Sequence, residues 1–148
     1  MPCDIPLSVQ KKVLHFAEKT LNIKLHLARH ILFPNSIFIT SSKNSDHYSE
    51  DVFLLIFDIK VNNRFQKQGN ITYYQIPRQL RHKGLATKVY YMLENELKSL
   101  GCQFMSVDAT IDPEDWDHNT LPFWHQLGFK PLVKVNKDDD TCPMVKKI

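Results

Sequence analysis

Glycine is scarce in this chain: there are four in 148 residues, where average usage gives about ten. That count excludes collagen-like and glycine-rich linker sequences. It also marks Gly69, Gly84, Gly101 and Gly128 as places where the backbone itself needs the residue. Long apolar runs are missing too. The longest, Val52 to Phe57, falls far short of the ~20 residues that span a bilayer, so no membrane partner is expected. The opening residues Met1-Pro2-Cys3-Asp4-Ile5-Pro6 lack a basic stretch followed by an apolar one, which argues against a signal peptide. The three cysteines, Cys3, Cys102 and Cys142, are scattered and form no CxxC. This excludes a disulfide scaffold, argues against a zinc site and fits free thiols in a reducing, cytoplasmic setting. A net charge of only +3 is no nucleic-acid signature.

What is present is enough for a packed core. With 43% apolar residues, a chain of this length buries roughly two-thirds of its unfolded surface as one domain, and residues 1–148 are read as that domain. Val9, Val13, Leu14, Phe16, Ala17 and Leu21 fall at helical spacing and predict a helix over 7–21, with Ser8 as its cap. A second, short helix is expected over 25–33, closed by Pro34. Strands are expected over 36–40, 52–61, 71–76 and 104–110. Residues 62–70 read as a hairpin connection. Leu85, Val89, Leu93 and Leu97 predict a long helix from Gly84 to Gly101. A short helix over 120–127 follows, with Asn119 as a candidate cap. A last strand pair is expected over 129–135 and 144–148. The strand–helix–strand unit over 71–110 has the length of a parallel crossover, while its neighbours read as hairpins. The fold expected is therefore α/β (α+β): a mixed, mostly antiparallel sheet with helices on both faces.

The chemistry concentrates where a strand meets the long helix, at Arg81-His82-Lys83-Gly84-Leu85-Ala86-Thr87. A helix start offers unpaired N–H groups and a partial positive charge, and a glycine there lets an anion approach the backbone. Arg78, Arg81 and Lys83 add charge. The loop has neither the Gly-Lys-Ser/Thr ending of a P-loop nor the three glycines of a dinucleotide fingerprint. Taken alone, it reads equally as a solvated basic helix entry.

The pattern Arg81-x-x-Gly84-x-Ala86 resembles the acetyl-CoA pyrophosphate loop of the GNAT N-acetyltransferase superfamily. Downstream, Leu121-Pro122-Phe123-Trp124-His125-Gln126-Leu127-Gly128-Phe129 resembles the family's aromatic helix-to-strand element. One helix and one strand separate the two motifs, as in the family, and the resemblance is good over 69–135. It implies a central splayed pair of parallel strands and a GNAT-like acyl-CoA N-acyltransferase fold. It implies acetyl-CoA as acyl donor and a primary amine as acceptor, with direct attack in a ternary complex. Tyr74, Gln75 and Ile76 would run beside the pantetheine arm. Arg81, His82, Lys83, Gly84, Leu85, Ala86 and Thr87 would hold the diphosphate, Phe123 would flank the thiol end, and Asn119 would bond the cofactor.

The resemblance is incomplete at the reacting atoms. The family's usual general acid is a tyrosine four residues before the glycine, and here Trp124 stands there; an indole N–H does not deliver a proton as a phenol does. Asp108 is the candidate base, directly or through water, with His118 and His125 in competition. No histidine pair shows metal-ligand spacing, so no metal is expected. Tyr73 and Tyr74 are adjacent and face opposite sides of the sheet, one toward the core and one toward the acceptor. Asp108, Asp112, Glu114, Asp115 and Asp117 crowd one short stretch. They are either a solvated loop or a rim that steers a cationic small molecule or peptide amine. A non-catalytic acyl-CoA-binding module is the alternative to an active enzyme. A nucleic-acid reading of Arg78, Arg81, His82, Lys83 and Lys88 ranks last, since the cluster is short and lacks aromatics. A homodimer would cover an edge strand, though the sequence does not show one.

Overall fold

The structure is a computed structural model that describes residues 2–42, 49, 51–111, 119–136 and 138–148. Helix α1 spans Leu7–Leu21, as its periodicity requires, and buries Val13, Leu14, Ala17 and Leu21. Its start differs from expectation. Pro6 is the N-cap, no side chain caps the helix, and the Pro6 carbonyl accepts from the N–H groups of Val9 and Gln10. Ser8 therefore lies inside the first turn. Asn22 ends the helix in the left-handed region, a conformation asparagine tolerates.

The strands are β1 (Pro2–Cys3), β2 (His26–His30), β3 (Phe33–Thr40), β4 (Leu54–Val61), β5 (Lys67–Gln75), β6 (Cys102–Thr110), β7 (Lys130–Pro131) and β8 (Thr141–Lys147). They form one sheet in the order β2-β3-β4-β5-β6-β8-β7, with β1 beside β4. Among the described residues only β5 and β6 pair in parallel. They are joined by a crossover through α2 (Leu85–Ser99), and α3 (Leu121–Gln126) follows β6. The mixed, mostly antiparallel sheet is as expected.

Several elements depart from the sequence reading. No helix forms over 25–33. His26–His30 is strand β2, paired with β3 at Leu27 and Ile39, because tertiary pairing overrides a modest helical preference. Strand β5 starts at Lys67, not 71, and the connection shrinks to a turn. There Asn62 Oδ1 accepts from the N–H groups of Arg64 and Gln66. Gly69 thus sits within a strand, where a Cβ would come 2.7 Å from both Leu97 Cδ1 and Met105 Sδ. Close packing, and not a turn, demands glycine there. At the C-terminal end β7 keeps only two residues, while β8 begins earlier than foreseen.

Helices α1 and α2 lie against one face. With α3 they feed a single cluster that includes Val13, Leu55, Phe57, Leu93, Met105 and Trp124. The other face has a smaller cluster, Phe38, Leu54 and Ile56 with Ala28 and Phe33, drawn from strands alone. Among the described residues the helices therefore gather on one face, where both were expected to carry them. The helix-free face also carries a polar row. Ser36 and Asn70 donate to the Asp58 carboxylate, and Gln68 and Ser106 donate to Asn70 Oδ1. That row is how β5 tolerates polar residues inside a strand.

Candidate functional site

The site follows from where the one parallel pair stops. β5 and β6 pair from Lys67 opposite Cys102 to Ile71 opposite Val107, with one slip between Lys67 and Gln68. Beyond that, Tyr73, Tyr74 and Gln75 pair only with β4. Asp108, Ala109 and Thr110 pair only with β8. The strands part, and a cleft of about 700 Å³ opens between them. Two mutual bonds hold its far wall. Thr110 N–H donates to Thr120 Oγ1 at 2.8 Å, and Thr120 N–H donates to the Thr110 carbonyl at 2.9 Å. They clamp the start of α3 to the end of β6.

One end of the cleft is polar. Pro77 ends β5, a single 3-10 turn covers Arg78–Leu80, and the chain enters α2 through Gly84 at φ +77°. No side chain caps α2, and its first helical bond runs from Lys88 N–H to the Gly84 carbonyl. The N–H groups of Leu85, Ala86 and Thr87 therefore lack intrahelical partners. A Cβ on Gly84 would meet nothing within 4 Å, so the space in front of these amides is open. Arg81 lines the same cleft. Its Nε donates to the Ile76 carbonyl at 3.0 Å, and its buried Nη1 has no partner among the described residues. Open amides beside a guanidinium nitrogen are suited to an anion.

The other end is aromatic. The Tyr74 ring centroid lies 6.3 Å from Phe123 and 6.1 Å from Trp124. Trp124 is buried against Tyr90 and Phe129. The Tyr74 hydroxyl donates to the Ala86 carbonyl at 2.6 Å, and burial holds its pKa well above the ordinary phenol value. That phenol is a fixed strut, kept neutral. Tyr90 is pushed up as well, first by burial and then by the adjoining Glu94 carboxylate. Its hydroxyl donates to Glu94, which Lys146 also meets at 2.6 Å.

Most of the residues singled out from the sequence converge here. Tyr74, Gln75, Ile76, Arg81, His82, Gly84, Ala86, Thr87, Asn119, Phe123 and Trp124 line the cleft. Lys83 is exposed away from it, and Leu85 packs toward the core. Asn119 uses Oδ1 to accept from Leu121 N–H at 3.3 Å, but the N-cap of α3 is Thr120, where Asn119 was the expected cap. Asp108 is exposed opposite Pro143 and outside the lining. It alternates with the buried Val107 and Ala109 and so points to the helix-free face. Among the described residues no carboxylate lines the cleft, and no cluster of metal-ligating side chains forms. Among the described residues no helix is long and apolar enough to cross a membrane. Asp112, Glu114, Asp115, Asp117 and His118 lie outside the described residues.

Solved structures share this architecture. A chain of the NatC complex bound to Gag peptide and CoA matches with TM-score 0.55 and 12% identity over 100% of this chain and 96% of that one. An acetyltransferase from Bacillus cereus matches with TM-score 0.52 and 13% identity, over 100% and 96%. Arabidopsis thaliana Naa50, in complex with the bisubstrate analogue CoA-Ac-MVNAL, matches with TM-score 0.50 and 11% identity, over 84% and 99%. The chain has the GNAT fold. No protein-family model and no curated relative matches the sequence.

Within the GNAT fold, sequence reasoning missed Leu54, Leu80, Thr110, Thr120, Pro122 and Gln126 as cleft residues. For Leu54 a signal existed: it lies inside the apolar run 52–57, where it opens β4, and it stands opposite Gln75. Thr110 and Thr120 had none, since their clamp exists only after folding. Tyr73 and Tyr74 do face opposite sides of the sheet. Both line the cleft, which therefore reaches from the helix-covered face to the helix-free one.

Proposed function

We propose that the protein is an acyl-CoA-dependent N-acetyltransferase. It moves an acetyl group from acetyl-CoA to a primary amine by direct attack in a ternary complex. The observation that carries this reading is the cleft between parted parallel strands, with an uncapped helix start at one end and apolar aromatics at the other. The diphosphate sits before the N–H groups of the loop from Arg81 to Thr87, with Arg81 Nη1 as a further donor. His82 borders it, Lys83 attracts it from outside, and the Thr87 hydroxyl adds a bond. The pantetheine arm runs along the β5 edge at Tyr74, Gln75 and Ile76, whose backbone β6 leaves unpaired. Phe123 and Trp124 flank the thioester and exclude water, and Asn119 closes the wall.

In the reaction the amine nitrogen attacks the thioester carbon and the carbonyl oxygen gains negative charge. The C–S bond then breaks, the thiolate takes, through water, the proton that the attacking nitrogen gives up, and the new amide leaves. Free backbone N–H groups of β5 are the donors available to the oxyanion. With Asp108 outside the lining, water carries the ammonium proton away, and any role for that carboxylate runs through water. The Trp124 indole donates a hydrogen bond to the leaving sulfur but not a proton. Placing the enzyme in the cytoplasm rests on the sequence alone. A non-catalytic acyl-CoA-binding module is the second reading, favoured by a cleft without a carboxylate.

A thermal-shift series with CoA, acetyl-CoA and longer acyl-CoAs tests the first step. Acetyl-CoA at a hundredfold excess over Kd should raise the midpoint by about 5–10 °C. No rise with any of the three would remove both readings. A rise without thiol release in the presence of amines would leave only the binding module.

A further inference from the structure

The cleft has a second mouth, and its chemistry differs from the first. Tyr73 and Leu54 line the cleft but belong to the helix-free face, Leu54 as part of the small cluster there. Tyr73 is 47% exposed. The Phe33 ring stands 6.2 Å from it, which a flat sheet would not allow. Phe38 is level with Ile56 and Ile56 with Tyr73, and Phe33 lies five residues before Phe38, about 16 Å along an extended strand. The β2–β3 hairpin must therefore bend over this face. Its register slips between Ala28 and His30, and such irregularities bend strands. The bend brings Phe33 to the mouth and leaves the tip residues Ile31 and Leu32, at 95% and 71% exposure, directly before it in sequence.

We propose that the acceptor amine enters through this mouth and is chosen by an apolar substituent. The class is a primary amine on an aromatic or branched aliphatic group, either a free amine or the first residue of a peptide. Tyr73, Leu54 and Phe33 form the wall that receives the substituent, and Ile31 and Leu32 extend it. The cationic lining side chain, Arg81, lies at the opposite end. Asp108, on the same face, stands outside the lining. The proposal rests on the acetyltransferase reading and goes beyond it by naming the acceptor. It competes with selection of polycations by the acidic stretch after β6.

The test measures CoA release by the full chain with four acceptors: 2-phenylethylamine, a short peptide beginning with leucine, spermidine, and a short peptide beginning with glutamate. The apolar acceptors should exceed the other two by about tenfold or more in kcat/KM. Agreement between the first two leaves the class intact, and a gap between them tells free amine from peptide. Tyr73→Ala should lower kcat/KM for apolar acceptors about tenfold, mainly through KM, with acetyl-CoA KM unchanged. Tyr73→Phe should keep wild-type selection, and Leu32→Glu should lower it while leaving the fold intact. Faster turnover of spermidine or the glutamate peptide would overturn the proposal. So would an equal loss on all acceptors in Tyr73→Ala. Acetyl-CoA binding without turnover of any acceptor would overturn it too, while absence of acetyl-CoA binding would instead overturn the acetyltransferase reading itself.

Discussion

Gly69 and Gly84 stand at the two halves of the same strand–helix unit and need glycine for opposite reasons. At Gly69 the strands are still paired, and a Cβ would meet Leu97 and Met105 at 2.7 Å. Both neighbours are fully buried. At Gly84 the strands have parted, a Cβ would meet nothing, and the backbone sits at φ +77°. The first glycine lets helix and sheet close on each other. The second keeps a surface open in front of free amides. Crowding marks the half of the unit that builds the fold, and emptiness marks the half to which the proposed function assigns a ligand.

Substitutions can break that contrast. Gly69→Val should cost the most stability, about 3 kcal/mol by overpacking, read as a lower denaturation midpoint. The acetyl-CoA affinity of the molecules that remain folded should be near normal. Gly84→Val should cost about 1–2 kcal/mol of stability from left-handed strain yet lower acetyl-CoA affinity about a hundredfold, roughly 2.7 kcal/mol, in a titration. Equal affinity losses in the two variants would erase the distinction. Asp108→Asn should do least. Turnover and stability should stay within about twofold and 0.5 kcal/mol of wild type, as for an exposed site away from the cleft. A tenfold drop in kcat would restore that carboxylate to the mechanism.

The same contrast separates what could be read from the sequence from what could not. The helices α1 and α2 were legible because their apolar positions repeat on one face, and Gly84 because it opens a helix among basic residues. The basic loop into α2 and the Phe123–Trp124 element were legible as motifs, since each is contiguous in the chain, and both line the cleft. His26–His30 was misread because Leu and Ala favour helix locally, and only pairing with β3 makes the segment a strand. The start of β5 was missed because Gln68 and Asn70 look like turn residues until Asp58 and Ser106 come within bonding distance. The wall of Phe33 against Tyr73 depends on a bent hairpin, and no local pattern encodes that meeting. Asp108 was read as the candidate base from its place on β6, and the alternation of that strand leaves it outside the cleft lining.

The unpartnered Nη1 of Arg81 has a consequence for timing. A dry donor without an acceptor costs about 1–3 kcal/mol, and the chain meets that cost when it folds, before any ligand arrives. The Nε bond to the Ile76 carbonyl fixes the guanidinium plane, so the donor neither swings out to water nor has to be recruited afterwards. In the proposed reading, a diphosphate oxygen bonds this covered donor only once the groups that cover it move aside. Recognition, in that reading, completes a bond that the folded chain holds half-made.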